Sequence, residues 1–342
     1  MTHHGARLTV PGMLTNSLEV AVAEHRAATI NPEEPVIAVR GLHKRYGNEE
    51  AVRGIDIDVG RGEIFAFLGP NGAGKTTTVE ILEGFRHATA GSVRVLGVDP
   101  AQAPSAWRER IGVVLQESQP ESGLTVRECL ELYAGYYAAP RPVDETLALV
   151  GLREQAGQRA TALSGGQRRR LDVALALAGD PELIFLDEPT TGFDPSARRA
   201  AWDVIAGLRE IGKTVFLTTH YMDEAERLAD RIAIIAAGRI VASGTPKTLG
   251  DRHLRGARIA FTLPRDSFAG ELPKPLAERS QAHGGGRVVI GSHAVAADLH
   301  ALSGWALARE LELDDLDVTR PTLEDVYLSL TQTETDSARS QP

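Results

Sequence analysis

One cysteine, Cys129, is all that a chain of 342 residues contains. No disulfide can close within the chain and no thiolate-built zinc site can form, which suits a reducing cytosol. Cys129 lies in the helical pattern VRECLELYAGYY, where it reads as a small buried side chain with no chemical task. Long apolar runs are also missing: nothing approaches the roughly 18 to 20 residues that a membrane-spanning helix needs. Segments such as IAIIAAG are short, Ile-rich and followed by a turn, the pattern of core strands. If the protein works at a membrane, another chain has to cross it. Positive charge is in deficit, the formal net charge being −9. Nucleic acid is therefore not an expected partner, because phosphate-backbone binding relies on clustered Lys and Arg. No positive segment followed by an apolar core and a small-residue cleavage site opens the chain, so no secretory signal is expected. His3 and His4 are too few for a metal tract, and there is no internal repeat.

What is present is enough chain for one large domain with appendages, or for two domains. Residues 1–35 are weakly periodic and end in NPEEP, so they read as a flexible extension, with LEVAVAEHRAA able to form one short helix. From Val36 strand-like and helix-like segments alternate: VIAVRGL, AVRGIDIDV, IFAFL, SVRVLG, IGVVLQE, LIFLDEP and TVFLTTH as strands. The helices expected among and after them are TVRECLELYAGYY, DETLALVGL, Gly165 to Gly179, SARRAAWDVIAGLREIG and MDEAERLAD. RIAIIAAGRIVASG reads as a β-hairpin turning at Ala237-Gly238. The alternation implies an α/β fold, a mostly parallel sheet covered on both faces.

The character changes after Thr245-Pro246. RIAFTLP and GRVVIGS look like edge strands, ELPKPLAERSQAHGGG like a spacer, VAADLHALSG like a helix and LARELELDDLDV like a strand. PTLEDVYLSLT opens a last helix with Thr322 as its cap and Glu324 and Asp325 at its positive end. The expected organisation is an extension at 1–35, a main domain at 36–249, a small αβ accessory domain at 250–331 and a polar, disordered tail at 332–342.

Three stretches carry chemistry. GPNGAGKTT fits G-x-x-x-x-G-K-[ST] with Gly69, Gly74, Lys75 and Thr76, between a buried-looking strand and a helical pattern. Its glycines let successive N–H groups turn toward phosphate oxygens, and the following helix adds its positive end. Lys75 would reach the β- and γ-phosphates and the Thr76 hydroxyl would ligate Mg²⁺. LIFLDEP ends an apolar strand in Asp187 and Glu188, one carboxylate for Mg²⁺ and the next for polarising water. LSGGQ starts a second helix with Ser164 as cap and Gly165 and Gly166 permitting close backbone approach. A second anion reader in one chain suggests contact in trans.

Together, and in this order, these stretches resemble the nucleotide-binding subunit of an ATP-binding cassette transporter over about Val36 to Thr245. GPNGAGKTT resembles the Walker A loop, Gln116 the glutamine loop, LSGGQ the signature, LIFLDEP the Walker B strand, GFDP the D-loop and His220 the switch histidine. The resemblance implies a P-loop NTPase fold with an antiparallel β subdomain and a helical subdomain. It also implies a head-to-tail homodimer that sandwiches ATP between Gly69, Pro70, Asn71, Gly72, Ala73, Gly74, Lys75, Thr76 and Thr77 of one copy and Ser164, Gly165, Gly166 and Gln167 of the other. Tyr46 would stack on adenine, and Asp187 and Gln116 would join Thr76 at Mg²⁺. Glu188 would be the general base, His220 would contact the γ-phosphate and Asp194 would link the two sites. Phe193 departs from the family's usual leucine.

TTTVEILEGFRHATAGSVRVLG and PTLEDVYLSLT resemble the bacterial drug-resistance exporters of the daunorubicin type, in which cassette and membrane subunits are separate chains. That implies ATP hydrolysis driving export of a hydrophobic drug or lipid-like compound through a separately encoded multi-span permease, with this chain peripheral at the cytoplasmic face. A soluble cassette ATPase acting on ribosomes or DNA, or an importer cassette, are the alternatives; the first typically carries two cassettes or a long coiled-coil insertion, and neither is present.

Overall fold

Runs of apolar residues too short to cross a bilayer have only one economical fate, the interior of a sheet covered on both sides. In the computed structural model, which describes residues 34–115, 123–249, 256–264, 269–320 and 322–328, they take it. Strands β3 (Ile64–Leu68), β6 (Leu183–Asp187) and β7 (Thr214–Thr219) are buried along their length apart from the half-buried Asp187. With β5 (Ile111–Val114), β8 (Arg231–Ala236) and β9 (Arg239–Gly244) they form a sheet of order β5-β6-β7-β3-β8-β9. All pairs are parallel except the β8–β9 hairpin, whose turn holds both Ala237 (φ 46°) and Gly238 (φ 80°) in the left-handed region that a tight hairpin needs.

Side chains on a strand alternate between faces, so the sheet has two cores. On one face Phe65, Phe67, Phe185 and Phe216 pack together, Phe216 lying 5.5 to 5.7 Å, centroid to centroid, from the other three. They meet Ile37, Val39, Val52, Ile57 and Val93 of an antiparallel sheet of order β2-β1-β4, built from β1 (Ile37–Tyr46), β2 (Glu49–Val59) and β4 (Ala90–Val95). On the other face Ile184, Leu186, Val215 and Leu217 meet helical residues. These come from α3 (Val126–Ala134), α4 (Val143–Leu149), α5 (Gly165–Ala176) and α6 (Pro195–Glu210). Helix α1 (Lys75–Leu82) follows β3, the short α2 (Ser105–Arg108) precedes β5, and α7 (Met222–Leu228) follows β7. This is the expected α/β architecture with its antiparallel and helical parts. Cys129 is buried in the helical core.

A separate antiparallel sheet of order β11-β12-β10-β13 follows, from β10 (Ala257–Thr262), β11 (Ser280–Ala282), β12 (Arg287–Ser292) and β13 (Asp314–Thr319). Its core joins Ile259, Phe261, Val288 and Ile290 to Leu302 and Trp305 of α9 (Val295–Leu307). Several expectations need correcting here. β10 and β12 are the two interior strands, not edges; their alternating apolar residues face α9, and the exposed edges are β11 and β13. The expected spacer contains α8 (Lys274–Ala277) and β11, ordered because Leu272 and Leu276 enter the same core. Of the expected strand LARELELDDLDV, Asp314 to Val318 are strand, in β13; its first residue, Leu307, ends α9, and a left-handed Glu310 (φ 55°) lies between. Helix α2 and its buried Trp107, whose indole N–H donates to Val95 O at 2.8 Å, was not anticipated.

The helical turn at 323–328 leaves this second core and returns to the first. Leu323 is fully buried in one cluster with Ala66 and Leu68 of β3, Ala225 of α7 and Ile232 and Ile234 of β8, with Tyr327 packed alongside. The Thr322 cap is present: its N–H and hydroxyl both donate to Asp325 Oδ2 at 2.8 Å, and its hydroxyl accepts from Asp325 N at 3.1 Å. Among the described residues no helix is long and apolar enough to cross a membrane. Of the expected extension at 1–35, residues 1–33 lie outside the described residues, as does the expected tail at 332–342.

Candidate functional site

The Gly69–Gly74 loop leaves β3 at its C-terminal end and feeds the N-terminus of α1. A Cβ at Gly69 would stand 2.4 Å from the carbonyl oxygen of Ile235, and one at Gly74 (φ 104°) 2.5 Å from that of Ala51, so both positions admit only glycine. Pro70, Asn71 and Gly72 are exposed, Ala73 is buried, Thr76 presents itself to solvent and Thr77 is half-buried. Lys75 is buried, and its ammonium donates to the loop's own carbonyls, Gly69 O at 2.7 Å and Pro70 O at 3.2 Å. Burial lowers its pKa, opposed by the negative charges of Glu188 and Asp187. The structure therefore brings the lysine and both carboxylates within electrostatic reach of one another. A concave loop with a desolvated cation behind it is an anion cradle.

Across the sheet, at the same end, β6 finishes in Asp187 and Glu188. Asp187 Oδ1 accepts a short hydrogen bond from the Thr218 hydroxyl on β7. Glu188 has φ 45°, a conformation a glutamate adopts only when the surroundings enforce it. They do: its N–H donates to both Thr218 O and Thr218 Oγ1 at 3.1 Å. Its carboxylate Oε2 accepts from the Thr191 hydroxyl at 3.1 Å and lies 3.3 Å from His220 Nδ1. The His220 ring is half-exposed and leans on Tyr221, centroids 4.1 Å apart. Glu188 and His220 thus form a contact pair that can hold a water and an oxyanion in line.

The second glycine-rich start lies elsewhere. Ser164 caps α5 in a reciprocal box with Gln167: Ser164 Oγ accepts from Gln167 N at 3.3 Å, and Ser164 N donates to Gln167 Oε1 at 2.9 Å. Asp194 caps α6, accepting from Ser196 N at 2.8 Å and Ala197 N at 2.9 Å, and these bonds hold its carboxyl below the usual range. Ser164, Gly165, Gly166, Gln167, Phe193 and Asp194 line one open cleft of about 490 Å³, and no residue of the Gly69–Thr77 loop lines it. Within one chain the two anion-reading loops are not joined.

Tyr46 ends β1 and is 40% exposed, within reach of an aromatic base. Two cations flank the ring, Lys44 Nζ at 5.1 Å and the Arg86 guanidinium at 5.3 Å from its centroid. Gln116 lies outside the described residues.

Comparison with known proteins bears on this arrangement. Residues 52–191 match the ABC transporter family, and residues 257–322 match the family described as ABC transporter domain-containing protein-like, C-terminal domain. A daunorubicin resistance ATP-binding protein of Streptomyces coeruleorubidus is 39% identical over 87% of this chain and 96% of its own length. The chain belongs to the ATP-binding proteins of ABC transporters. A Nod factor export ATP-binding protein of Ralstonia nicotianae is 42% identical to this cassette over 73% of the chain and 79% of its own length. A solved ATP-binding subunit of an ABC transporter superposes with a TM-score of 0.57 at 27% identity, covering 64% of the cassette chain and 93% of its own. A dimeric cassette in a post-hydrolysis state, bound to ADP and Pi, superposes with 0.54 at 25% identity, covering 61% and 98%. The chain is an ATPase subunit of the ABC transporter family, and it binds ATP.

The donors present also suit a magnesium ion, a hard cation that takes oxygen ligands: the Asp187 carboxylate at a strand end and the exposed Thr76 hydroxyl. Sequence reasoning missed three groups that shape the site. Thr218 orients Asp187 and Glu188 together, and the TT pair in VFLTTH was the available signal. Glu83, buried at the end of α1, has its pKa pushed up to about 8 by burial, then by the charges of Asp187 and Glu80. Arg169, on α5 just beyond the LSGGQ run, reaches the backbone around Glu188.

Proposed function

We propose that this cassette powers export of a hydrophobic drug or lipid-like compound through a separately encoded multi-span membrane subunit, working peripherally at the cytoplasmic face as a head-to-tail homodimer. The observation that carries the export reading is the 39% identity to the daunorubicin resistance protein over 87% of this chain and 96% of that protein's length. The dimer is supported by the separation of the two anion-reading loops within one chain and by the dimeric cassette that superposes on it.

In this reading the Lys75 ammonium leaves the carbonyls of Gly69 and Pro70 for the β- and γ-phosphates when nucleotide enters the loop. Mg²⁺, held by Thr76, Asp187 and Gln116, supplies charge neutralisation at the phosphate oxygens. Glu188 accepts a proton from the attacking water on its carboxylate, and His220 holds the geometry from 3.3 Å away. Tyr46 carries the adenine, Ser164 to Gln167 close on the γ-phosphate bound by the other copy, and Asp194 connects the two sites. ATP favours the closed pair and hydrolysis releases it, and this difference in affinity is what can move a membrane subunit.

The test is a mild-detergent pull-down of the full chain from native membranes with mass spectrometry of what co-purifies. A multi-span membrane protein at equal stoichiometry is the expected result. Ribosomal or DNA-bound proteins in its place would leave the ATPase chemistry standing and end the export reading.

A further inference from the structure

Among the described residues Arg169 is the one buried arginine, with Lys75 and Lys213 the buried lysines. Burying a guanidinium is costly unless every edge of it is satisfied, so its partners reveal what the fold uses it for. They lie on two segments outside its own helix. Nη2 donates to Asp187 O at 2.7 Å, Nε donates to Pro189 O at 3.2 Å, and Nη1 makes a short hydrogen bond to Leu115 O. Asp172, one turn along α5, lies 3.9 Å from Nη1 as counter-charge. The two carbonyls at 187 and 189 bracket Glu188, the residue held at φ 45°. One planar fork therefore fixes the peptide group before that strained residue and the carbonyl of the residue after it, while Thr218 fixes its N–H from the neighbouring strand.

We infer that Arg169 is a positioning residue for hydrolysis: it braces the backbone around Glu188 from the helix whose N-terminus carries Ser164, Gly165 and Gly166, so that the seat of α5 sets the aim of the base. The inference rests on the reading of Glu188 as general base. Arg169 touches neither of the two loops proposed to bind phosphate, so its loss should leave ATP binding intact and affect turnover. A lysine would keep the charge but cannot span three carbonyls with a planar fork, and is a half-measure by geometry. Misplacement of a base by an ångström is enough to cost on the order of a hundredfold in rate.

The experiment measures turnover and ATP affinity separately on the full chain carrying Arg169→Gln, Arg169→Lys or Glu188→Gln, each well below its melting temperature. The expected result for Arg169→Gln is kcat lowered roughly 10- to 100-fold with the Kd for ATP within about twofold of the parent, and Arg169→Lys in between. If Arg169→Gln does not fold, Arg169→Lys decides on the same criterion. Parental kcat, or an ATP Kd that worsens by the same factor as kcat falls, overturns the positioning role. Full turnover by Glu188→Gln overturns the base assignment instead, so the two failures are separable.

Discussion

A carboxylate can act as a base only where it is aimed, and Glu188 is held in place by contacts with His220, Thr191 and Thr218. Glu188→Gln keeps the shape and removes the proton acceptor. Turnover is expected to fall by roughly 100- to 10,000-fold while ATP binding persists, and a rapid steady-state rate from this variant would remove Glu188 from the role. Glu83 gives the converse case, a carboxyl that folding keeps neutral. Its pKa of about 8 lies above the ordinary 4.5, so the native state holds the proton more tightly than the unfolded chain. That contribution is fully present below the unfolded pKa and is lost as pH rises through the folded one, at a cost of up to about 1.4 kcal/mol per pH unit crossed. Between about pH 5 and 8 the nucleotide-free parent should therefore lose stability relative to Glu83→Gln. Melting temperatures of the two across that range measure it, and parallel curves would mean Glu83 titrates normally.

Elements differ in how openly the chain announces them. Strands β3, β6 and β7 were legible because short apolar runs bounded by turns have no other place to go, and the loop after β3 because glycine spacing is dictated by backbone clearance at Ile235 and Ala51. Helix α2 and strand β11 were not legible: four and three residues carry no periodicity, and burial of Trp107 and Leu276 decides them. The joint of α9 and β13 failed for a related reason, since alternating Leu and acids through 311–318 imitate a longer strand. Within the site, motif spacing pointed to Lys75, Asp187 and Glu188 and the family resemblance to His220, whereas Arg169 acts through backbone carbonyls that no residue pattern encodes, and Thr218 was signalled only by the TT pair of VFLTTH. The α5 N-terminus was legible as a capped start, and its open cleft supports a test of the dimer. Ser164→Arg places a long cation where a second copy would close. In the Glu188→Gln background with ATP it should sediment as a monomer while binding nucleotide, and a closed dimer from the double variant would contradict the trans arrangement.

At the scale of the whole molecule the chain crosses between cores twice, out to the β10–β13 sheet and back through the helix at 323–328. The return matters because Leu323 touches the cluster behind β3 and α7, the two elements that deliver the phosphate loop and follow His220. Removing most of a fully buried leucine costs about 2 to 5 kcal/mol, depending on how far the site collapses. Leu323→Ala should charge that cost to the cassette, whereas Leu302→Ala, in the core of the second sheet, should charge it there. The tryptophans separate the two: Trp107 and Trp202 report on the cassette cores and Trp305 on the second sheet. In urea, with variants keeping one tryptophan at a time, Leu323→Ala is expected to shift the Trp107 and Trp202 midpoints, and Leu302→Ala the Trp305 midpoint. If Leu323→Ala instead leaves the cassette midpoints where they were, the last helix rests on the cassette without supporting it, and movements of the C-terminal sheet have no packed route to β3.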